Sequence, residues 1–239
     1  QTPFDPLIAK GYDYGFKGAL LDDRLTFTAS GFYATRSNVS VTEVIESPIG
    51  SGKYTTGTRR DGDQLVRGYE FDFNWRLGEA WSLNGSWGHV HSIYTYFGSA
   101  NPLSVGRRVN NVSPENGSLS VRWTPRNGVL RGWSANLGTT YVARTPTEAP
   151  NAGDTYTTTT SGARVLSRST YQWALTVPSF QLWNAALRYT TRTARGANQQ
   201  FAFNVNNVLD LDYLKVSKQK GDRRAFYFTY SIGVGSLRN

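Results

Sequence analysis

Residues 201–213 read Phe-Ala-Phe-Asn-Val-Asn-Asn-Val-Leu-Asp-Leu-Asp-Tyr, a strand that stops abruptly in a polar turn. Phe201, Phe203 and Val205 alternate with Ala202, Asn204 and Asn206. A period of two therefore puts large apolar groups on one face and small or polar ones on the other. Asn207, Asp210 and Asp212 then offer side-chain acceptors that compete with a ladder for backbone N–H groups, which favours a turn. A second alternating run follows, with Phe226, Phe228, Tyr230, Ile232 and Val234 against Tyr227, Thr229, Ser231 and Gly233. The pair predicts an all-β chain.

The same period recurs upstream. Strand one is predicted over 8–21, with Tyr12, Tyr14, Phe16 and Leu20 on one face, and Asp22-Asp23 supplies a tight turn. Strand two starts near Arg24 with Leu25, Phe27 and Ala29 and runs less regularly toward Val44. Strand three sets Tyr69, Phe71, Phe73, Trp75 and Leu77 against Glu70, Asp72, Asn74 and Arg76. No charge falls on its apolar face, as hydrocarbon requires, because Arg or Lys at a bilayer midplane costs roughly 2–4 kcal/mol. Strand four carries Trp81, Leu83, Trp87 and Ile93, and strand five Leu119, Val121 and Trp123. Strand six carries Trp133, Ala135, Leu137, Thr139 and Tyr141, and strand seven Trp183, Ala185, Leu187 and Tyr189.

Short turns at 22–23, 78–80, 125–128 and 190–198 alternate with longer connections at 47–64, 98–114, 144–178 and 208–222. Short connections at one end and long ones at the other suit a barrel with periplasmic turns and extracellular loops. The irregular segment 144–178 would be unusual within a compact soluble domain. Alternation alone also fits a passive porin-like channel, or a soluble β-sandwich binding module whose two sheets meet across the apolar faces.

Composition narrows the classes. The 239 residues suffice for one large all-β domain, and 38% hydrophobic content with mean hydropathy −0.46 leaves no run of the ~18 apolar residues a membrane helix needs. Strands escape that exclusion. Aromatics at 14% and 24 glycines suit a barrel with aromatic girdles. Cysteine is absent, which excludes disulfides, thiolate metal sites and cysteine nucleophiles. The net charge of +9 is scattered, with basic pairs only at Arg59-Arg60, Arg107-Arg108 and Arg223-Arg224, so nucleic acid is not an expected partner. Without an initiator methionine or a signal-peptide pattern, residues 1–239 are expected to lie within a longer or processed polypeptide.

Chemistry-bearing constellations are few. His89 and His91 share one strand face but lack a sequence-near third ligand, and Asp210, Asp212 and Asp222 lack an EF-hand spacing. Both read as structural, and no catalytic or metal-binding residue is assigned. The binding candidates lie in the predicted outer loops: Tyr54, Arg59, Arg60, Arg107, Arg108, Tyr156, Arg168, Tyr171 and Trp173. Guanidinium groups pair with carboxylates or negatively charged chelates, and aromatic rings stack on planar ligands. The same residue types also suit lipopolysaccharide phosphates and a girdle at the membrane edge.

Asn204, Val205, Asn207, Asp210, Tyr213, Gly221 and Arg224, in that order and before a closing aromatic strand, resemble the C-terminal end of TonB-dependent outer-membrane receptors. That family typically reads N-V-x-N-L-x-D-x-x-Y, a loop, then G-x-P-R. Here Asp222-Arg223 stands where the family often has a residue and a proline, and 235–239 trail past the usual aromatic end. Residues 9–39 are similar to the family's Y-E-x-G-x-K, turn, R-L and F-Y series, with Asp13 for the usual Glu, and Gly68-Tyr69-Glu70 matches its G-x-E.

The resemblance implies an antiparallel transmembrane β-barrel of which 1–239 form the last nine of roughly 22 strands, with the plug domain and earlier strands elsewhere. It implies the outer membrane of a Gram-negative-type bacterium, surrounded by lipid and lipopolysaccharide, and a barrel monomeric when complete. It implies active uptake of a scarce ligand, most often a ferric siderophore, less often cobalamin or a glycan. Energy would come from the TonB complex acting through the N-terminal part. No cofactor and no bond-changing reaction are implied.

Overall fold

Strands whose two faces differ this sharply can satisfy their backbones only by pairing side by side with the faces in register. The computed structural model describes residues 6–46, 54–97, 105–147, 156–158, 164–166, 176–193, 196–216 and 218–233. In chain order the strands are β1 (Ile8–Leu20), β2 (Leu25–Glu46), β3 (Tyr54–Arg76), β4 (Trp81–Phe97), β5 (Glu115–Trp123), β6 (Trp133–Val142), β7 (Thr145–Pro146), β8 (Tyr156–Thr158), β9 (Arg164–Leu166), β10 (Thr176–Val177), β11 (Phe180–Arg192), β12 (Asn198–Asn206) and β13 (Ala225–Gly233). Nine of them make one antiparallel sheet in the order β1-β2-β3-β4-β5-β6-β11-β12-β13, and β7–β10 and β8–β9 pair apart from it. The described residues contain no helix.

One row of directly opposed residues crosses the whole sheet: Leu20, Leu25, Trp75, Leu83, Val121, Leu137, Ala185, Val205 and Phe226. Every member is apolar. The adjacent row runs Ala19, Thr26, Asn74, Asn84, Ser120, Gly138 and Asn184, on the opposite face. The apolar face does not fold onto a second sheet. Phe16 stays 67% and Phe228 69% exposed, and the buried apolar residues among those described are only Tyr94, Ala143, Val177 and Ala202. A sandwich would bury these rows, so the sandwich expectation fails.

Aromatic pairs mark two levels on that face. Near the short turns, Trp81 lies 6.2 Å from Trp123 and Trp133 lies 4.9 Å from Tyr189, ring centre to ring centre. Toward the long connections, Tyr12 stacks on Tyr33 at 5.4 Å, Tyr69 on His89 at 5.2 Å and Trp87 on Tyr141 at 5.8 Å. From Trp81 to His89 the strand advances about 27 Å, comparable with the ~25 Å apolar band of an outer-membrane barrel.

Two predicted connections differ from those observed. Residues 47–64 were expected as loop, yet β2 continues to Glu46 and β3 begins at Tyr54, paired from Glu46↔Tyr54 to Ser40↔Arg60. Thr55, Thr56 and Thr58 are β-branched strand formers, and with no apolar residue alternating among them in 54–63 the run gives no hydropathy pattern. At 22 and 23 residues, β2 and β3 are about twice the 9–11 residues that cross a bilayer, so the hairpin projects beyond the aromatic level. The β1–β2 turn is wider than a two-residue turn: Leu21, Asp22 and Asp23 all hold left-handed backbone, with φ of 58°, 54° and 59°. Arg76 anchors it by donating from Nη2 to the Asp23 carbonyl at 2.8 Å.

The face assignment is testable in the complete protein. Phe73 packs across Gly85 on the apolar side, where a Cβ at position 85 would overlap its ring, and Asn74 bonds Asn84 on the polar side. Phe73→Arg should cost roughly 2–4 kcal/mol and lower the amount of assembled barrel in outer-membrane fractions. Asn74→Ser should leave assembly near wild type; equal tolerance of the two changes would reverse the faces.

Candidate functional site

The buried polar side chains among the described residues, Gln64, Ser92, Thr145, Thr147 and Asn207, gather toward the long connections. Beyond the aromatic level β4 keeps its ladder with β3 while its other edge takes up the following segment. Tyr94 N–H donates to the Arg107 carbonyl at 2.9 Å, Gly106 N–H to the Tyr94 carbonyl at 2.8 Å, and Val109 N–H to the Ser92 carbonyl at 3.0 Å. Asn111, in left-handed backbone with φ 61°, donates its N–H to the Pro146 carbonyl at 2.7 Å. β7 then pairs with β10 through Thr176↔Pro146 and Val177↔Thr145.

These contacts bury a polar set that sequence reasoning missed: Gln64, Ser92, Thr145 and Thr147, with the Tyr94 ring among them. Thr145 is fully buried and donates to the Ala143 carbonyl at 2.9 Å. The Tyr94 hydroxyl bonds the Gln64 side chain and the Asn110 backbone. Asn110 Oδ1 is buried with no hydrogen-bond partner among the described residues. An acceptor left in that state costs free energy that a ligand or water donor would recover.

The second feature is the 207–224 connection, built on the sequence motif. Asn207 is 4% exposed with φ 51°. Its Oδ1 accepts from Leu211 N–H at 2.9 Å, and its Nδ2 donates to the carbonyls of Leu211 at 2.8 Å and Asp222 at 3.1 Å. Its own N–H donates to Asn184 Oδ1 on β11 at 3.0 Å. Asp210, also left-handed at φ 54°, takes both ends of the Arg223 guanidinium, at 2.9 Å and 2.6 Å, and the Arg224 N–H at 2.9 Å. Lys215 pairs with Asp222 at 3.0 Å and Lys220 lies 3.6 Å from Asp212.

The three aspartates thus each meet a cation of the same loop, in keeping with the turn role expected for them. Gly221 is required by close approach, since a Cβ there would overlap the Tyr213 ring. Tyr213 in turn packs on Phe180 at 4.7 Å, fastening the loop to the start of β11.

The predicted ligand-facing residues that the structure describes fall on several segments. Tyr54, Arg59 and Arg60 lie in β3, opposite Glu46, Val41 and Ser40. Arg107 and Arg108 lie against β4, Tyr156 lies in β8, and Arg168, Tyr171 and Trp173 fall outside the described residues. His89, without a carboxylate nearby in sequence, has Glu115 Oε1 3.3 Å from its Nδ1, because the β4–β5 register sets those residues opposite each other. No group of three or more metal-ligating side chains occurs among the described residues. On the polar face, Lys17, Asp72, Asn74, Asn84, Ser86 and Ser118 line a groove of about 750 Å³. The surface offers hydrogen bonds and charge for binding.

A family model described as TonB dependent receptor-like, beta-barrel matches residues 1–208. The metal-pseudopaline receptor CntO of Pseudomonas aeruginosa PAO1 is 29% identical over 214 residues, covering 90% of this chain and 25% of that protein. The chain thus spans about a quarter of the length of that curated relative. Among solved structures, the ferric-catecholate import receptor Fiu of Escherichia coli K12 superposes with TM-score 0.64 at 21% identity, over 96% of this chain and 28% of Fiu. BauA, the ferric preacinetobactin receptor of Acinetobacter baumannii, gives TM-score 0.64 at 18% identity, over 94% and 29% of the two chains.

The clasp at 207–224 carries two predictions for the complete protein in detergent. Asn207→Ala leaves the Leu211 N–H and two carbonyls unpaired, which should cost about 1–3 kcal/mol and expose the loop to limited proteolysis between 208 and 222. Arg223 and the Arg224 N–H hold the Asp210 carboxyl far below the usual carboxylate range. Its folded value is depressed, so the contribution of the pair is complete above the unfolded value of ~3.9 and drains away as pH falls from there. Cleavage by an acid-active protease should stay flat from neutral pH to about 4 and rise below it, with a smaller rise in Asp210→Asn. A wild-type profile without the acid limb would remove the ion pair from this account.

Proposed function

Because this chain belongs to the TonB dependent receptor-like β-barrel family, we propose that it is the C-terminal portion of the barrel of an active-transport receptor, the plug domain and the remaining strands being contributed by sequence outside 1–239. Family members are outer-membrane barrels of Gram-negative bacteria, and transport receptors rather than enzymes. The cargo we assign is a metal held by a small chelator, a ferric siderophore being the leading case, and import is driven through TonB. The relatives' names support a metal chelate as the class, since CntO is named for metal-pseudopaline and both solved neighbours for ferric complexes.

The observation that carries the proposal is the family match over 1–208 together with a sheet that sets apolar rows on one face and polar rows on the other. Among the described residues β1 and β13 are the edges of the sheet, and since hydrocarbon tolerates no open ladder this supports further strands that close the wall. A metal chelate with negative charge would meet Arg and aromatic groups of the long connections at the outer mouth, Arg107 and Arg59 among them.

The test is uptake of radiolabelled ferric siderophores, and of other chelated metals, by cells making the complete protein with and without TonB. Accumulation should require both the receptor and TonB. Receptor-dependent entry that persists without TonB would replace this proposal with the passive channel.

A further inference from the structure

The polar face changes character across the sheet. On β1 and β3 it carries the carboxylates of Asp13, Glu70 and Asp72, with Lys17 among them. The strands β5, β6, β11 and β12 hold one carboxylate, Glu115, and it is engaged with His89 at the end of β5 away from the short turns. No Asp or Glu occurs in 116–147 or in 155–209. Arg122 on β5 and Arg188 on β11 stand on this part of the polar face, toward the short turns. No ion pair among the described residues involves either of them.

The register brings the two arginines to one hollow. Arg122 lies opposite Asn136, and its row continues through Ala186 to Asn204. The next row on that face sets Arg188 between Ser134 and Ala202. The arginines are thus offset by about 10 Å across two strand spacings and about 7 Å along the strands, within joint reach of one small molecule. Ala186 and Ala202 present only methyl groups beside them, and a cavity of about 220 Å³ opens there, lined by Arg122, Ser134, Asn136, Arg188 and Asn204. Asn204, a motif residue that takes no part in the 207–224 clasp, acquires a place in this lining. Two guanidinium forks, two carboxamides and a hydroxyl can all donate, and none is anionic. Cations facing one hollow repel until an anion lies between them. Guanidinium forks take carboxylate oxygens in pairs, so the chemistry of the lining matches a small molecule with several carboxylates.

We propose that Arg122 and Arg188, with Asn136 and Asn204, bind the carboxylates of a small-molecule chelate, as a second site set on the wall well below the long connections. The division of charge on the polar face favours an anion on the β5–β12 side, away from Asp13, Glu70 and Asp72. The chelate's passage along this wall rests on the transport proposal, whereas carboxylate binding by the hollow does not.

The experiment is equilibrium dialysis of radiolabelled citrate, alone and as ferric citrate, against the complete receptor in detergent. Wild type is compared with the Arg122→Gln/Arg188→Gln pair and the Arg122→Lys/Arg188→Lys pair. Arg126→Gln/Arg131→Gln, which removes the same charge from the neighbouring exposed turn, is the control. The glutamine pair should bind citrate about tenfold more weakly, the lysine pair to an intermediate degree, and the control as wild type. The lysine pair keeps both charges, so it reports on the site even where the glutamine pair assembles poorly. Citrate should raise the melting temperature of the wild type and not of the glutamine pair. Absence of citrate binding by the wild type, or an equal loss in the control, would overturn the site. A glutamine pair that melts lower without citrate yet binds it as wild type would give the arginines to an acidic side chain of the receptor itself, and would overturn the site as well. The dialysis involves no TonB, so uptake that proved independent of TonB would remove the transport proposal and leave this result standing.

Discussion

Interstrand hydrogen bonding is the interaction on which everything else here rests. A chain in hydrocarbon has no water to satisfy its N–H and C=O groups, so each strand must give them to its neighbours. Once the ladder is fixed, side-chain placement follows without further freedom, because a one-residue slip would exchange the two faces of a strand. The row from Leu20 to Phe226, apolar at every position, shows that the strands are paired in the register that keeps their faces together. Large exposed rings such as Phe16 and Phe228 would be an aggregation hazard in water and are the expected surface in lipid.

The polar face answers to different physics. Thr26, Asn74, Asn84, Ser120 and Asn184 are short, uncharged and able to donate and accept, so they can line a wet or filled interior without fixing what occupies it. The buried and ion-paired polar groups lie instead toward the long connections. There β4 captures residues 106–109, Thr145 is fully buried, and the 207–224 connection is pinned by Asn207 and the Asp210–Arg223 pair. The loop is rigid at its root, which presents its exposed side chains at a defined place above the wall.

The wall was legible in the sequence because period-two alternation and register are the same fact seen twice. Tyr69 to Leu77 against Glu70 to Arg76 needed no partner strand to be assigned, and the strand order followed from hairpin connectivity. The motif residues Asn207, Asp210, Tyr213 and Gly221 were legible as a resemblance, and the structure supplies their reasons: three side-chain bonds, a bidentate ion pair and a close approach. What escaped was non-local or polar. The Thr-rich extension of β3 carries no hydropathy signal, His89 and Glu115 meet only through pairing, and the burial of Gln64, Ser92 and Thr145 depends on segments far apart in the chain. Composition marked 144–178 as loop; β7 and β10 show that it returns to pair with itself.

The geometry of the apolar row carries one more step. It begins beside the short turn at Leu20, at the foot of β1, and ends at Phe226, beside the long connection that precedes β13. A row perpendicular to the strands that climbs from one rim to the other means that the strands are tilted and staggered, which is the shear a barrel must accumulate to close. A flat sheet of nine strands would keep its row at one height. Among the described residues β1 and β13 are the edges of the sheet, and in a closed wall each would need a partner strand offset by that stagger to receive it. Closure, and not the burial of a core, is what holds such a sheet in lipid.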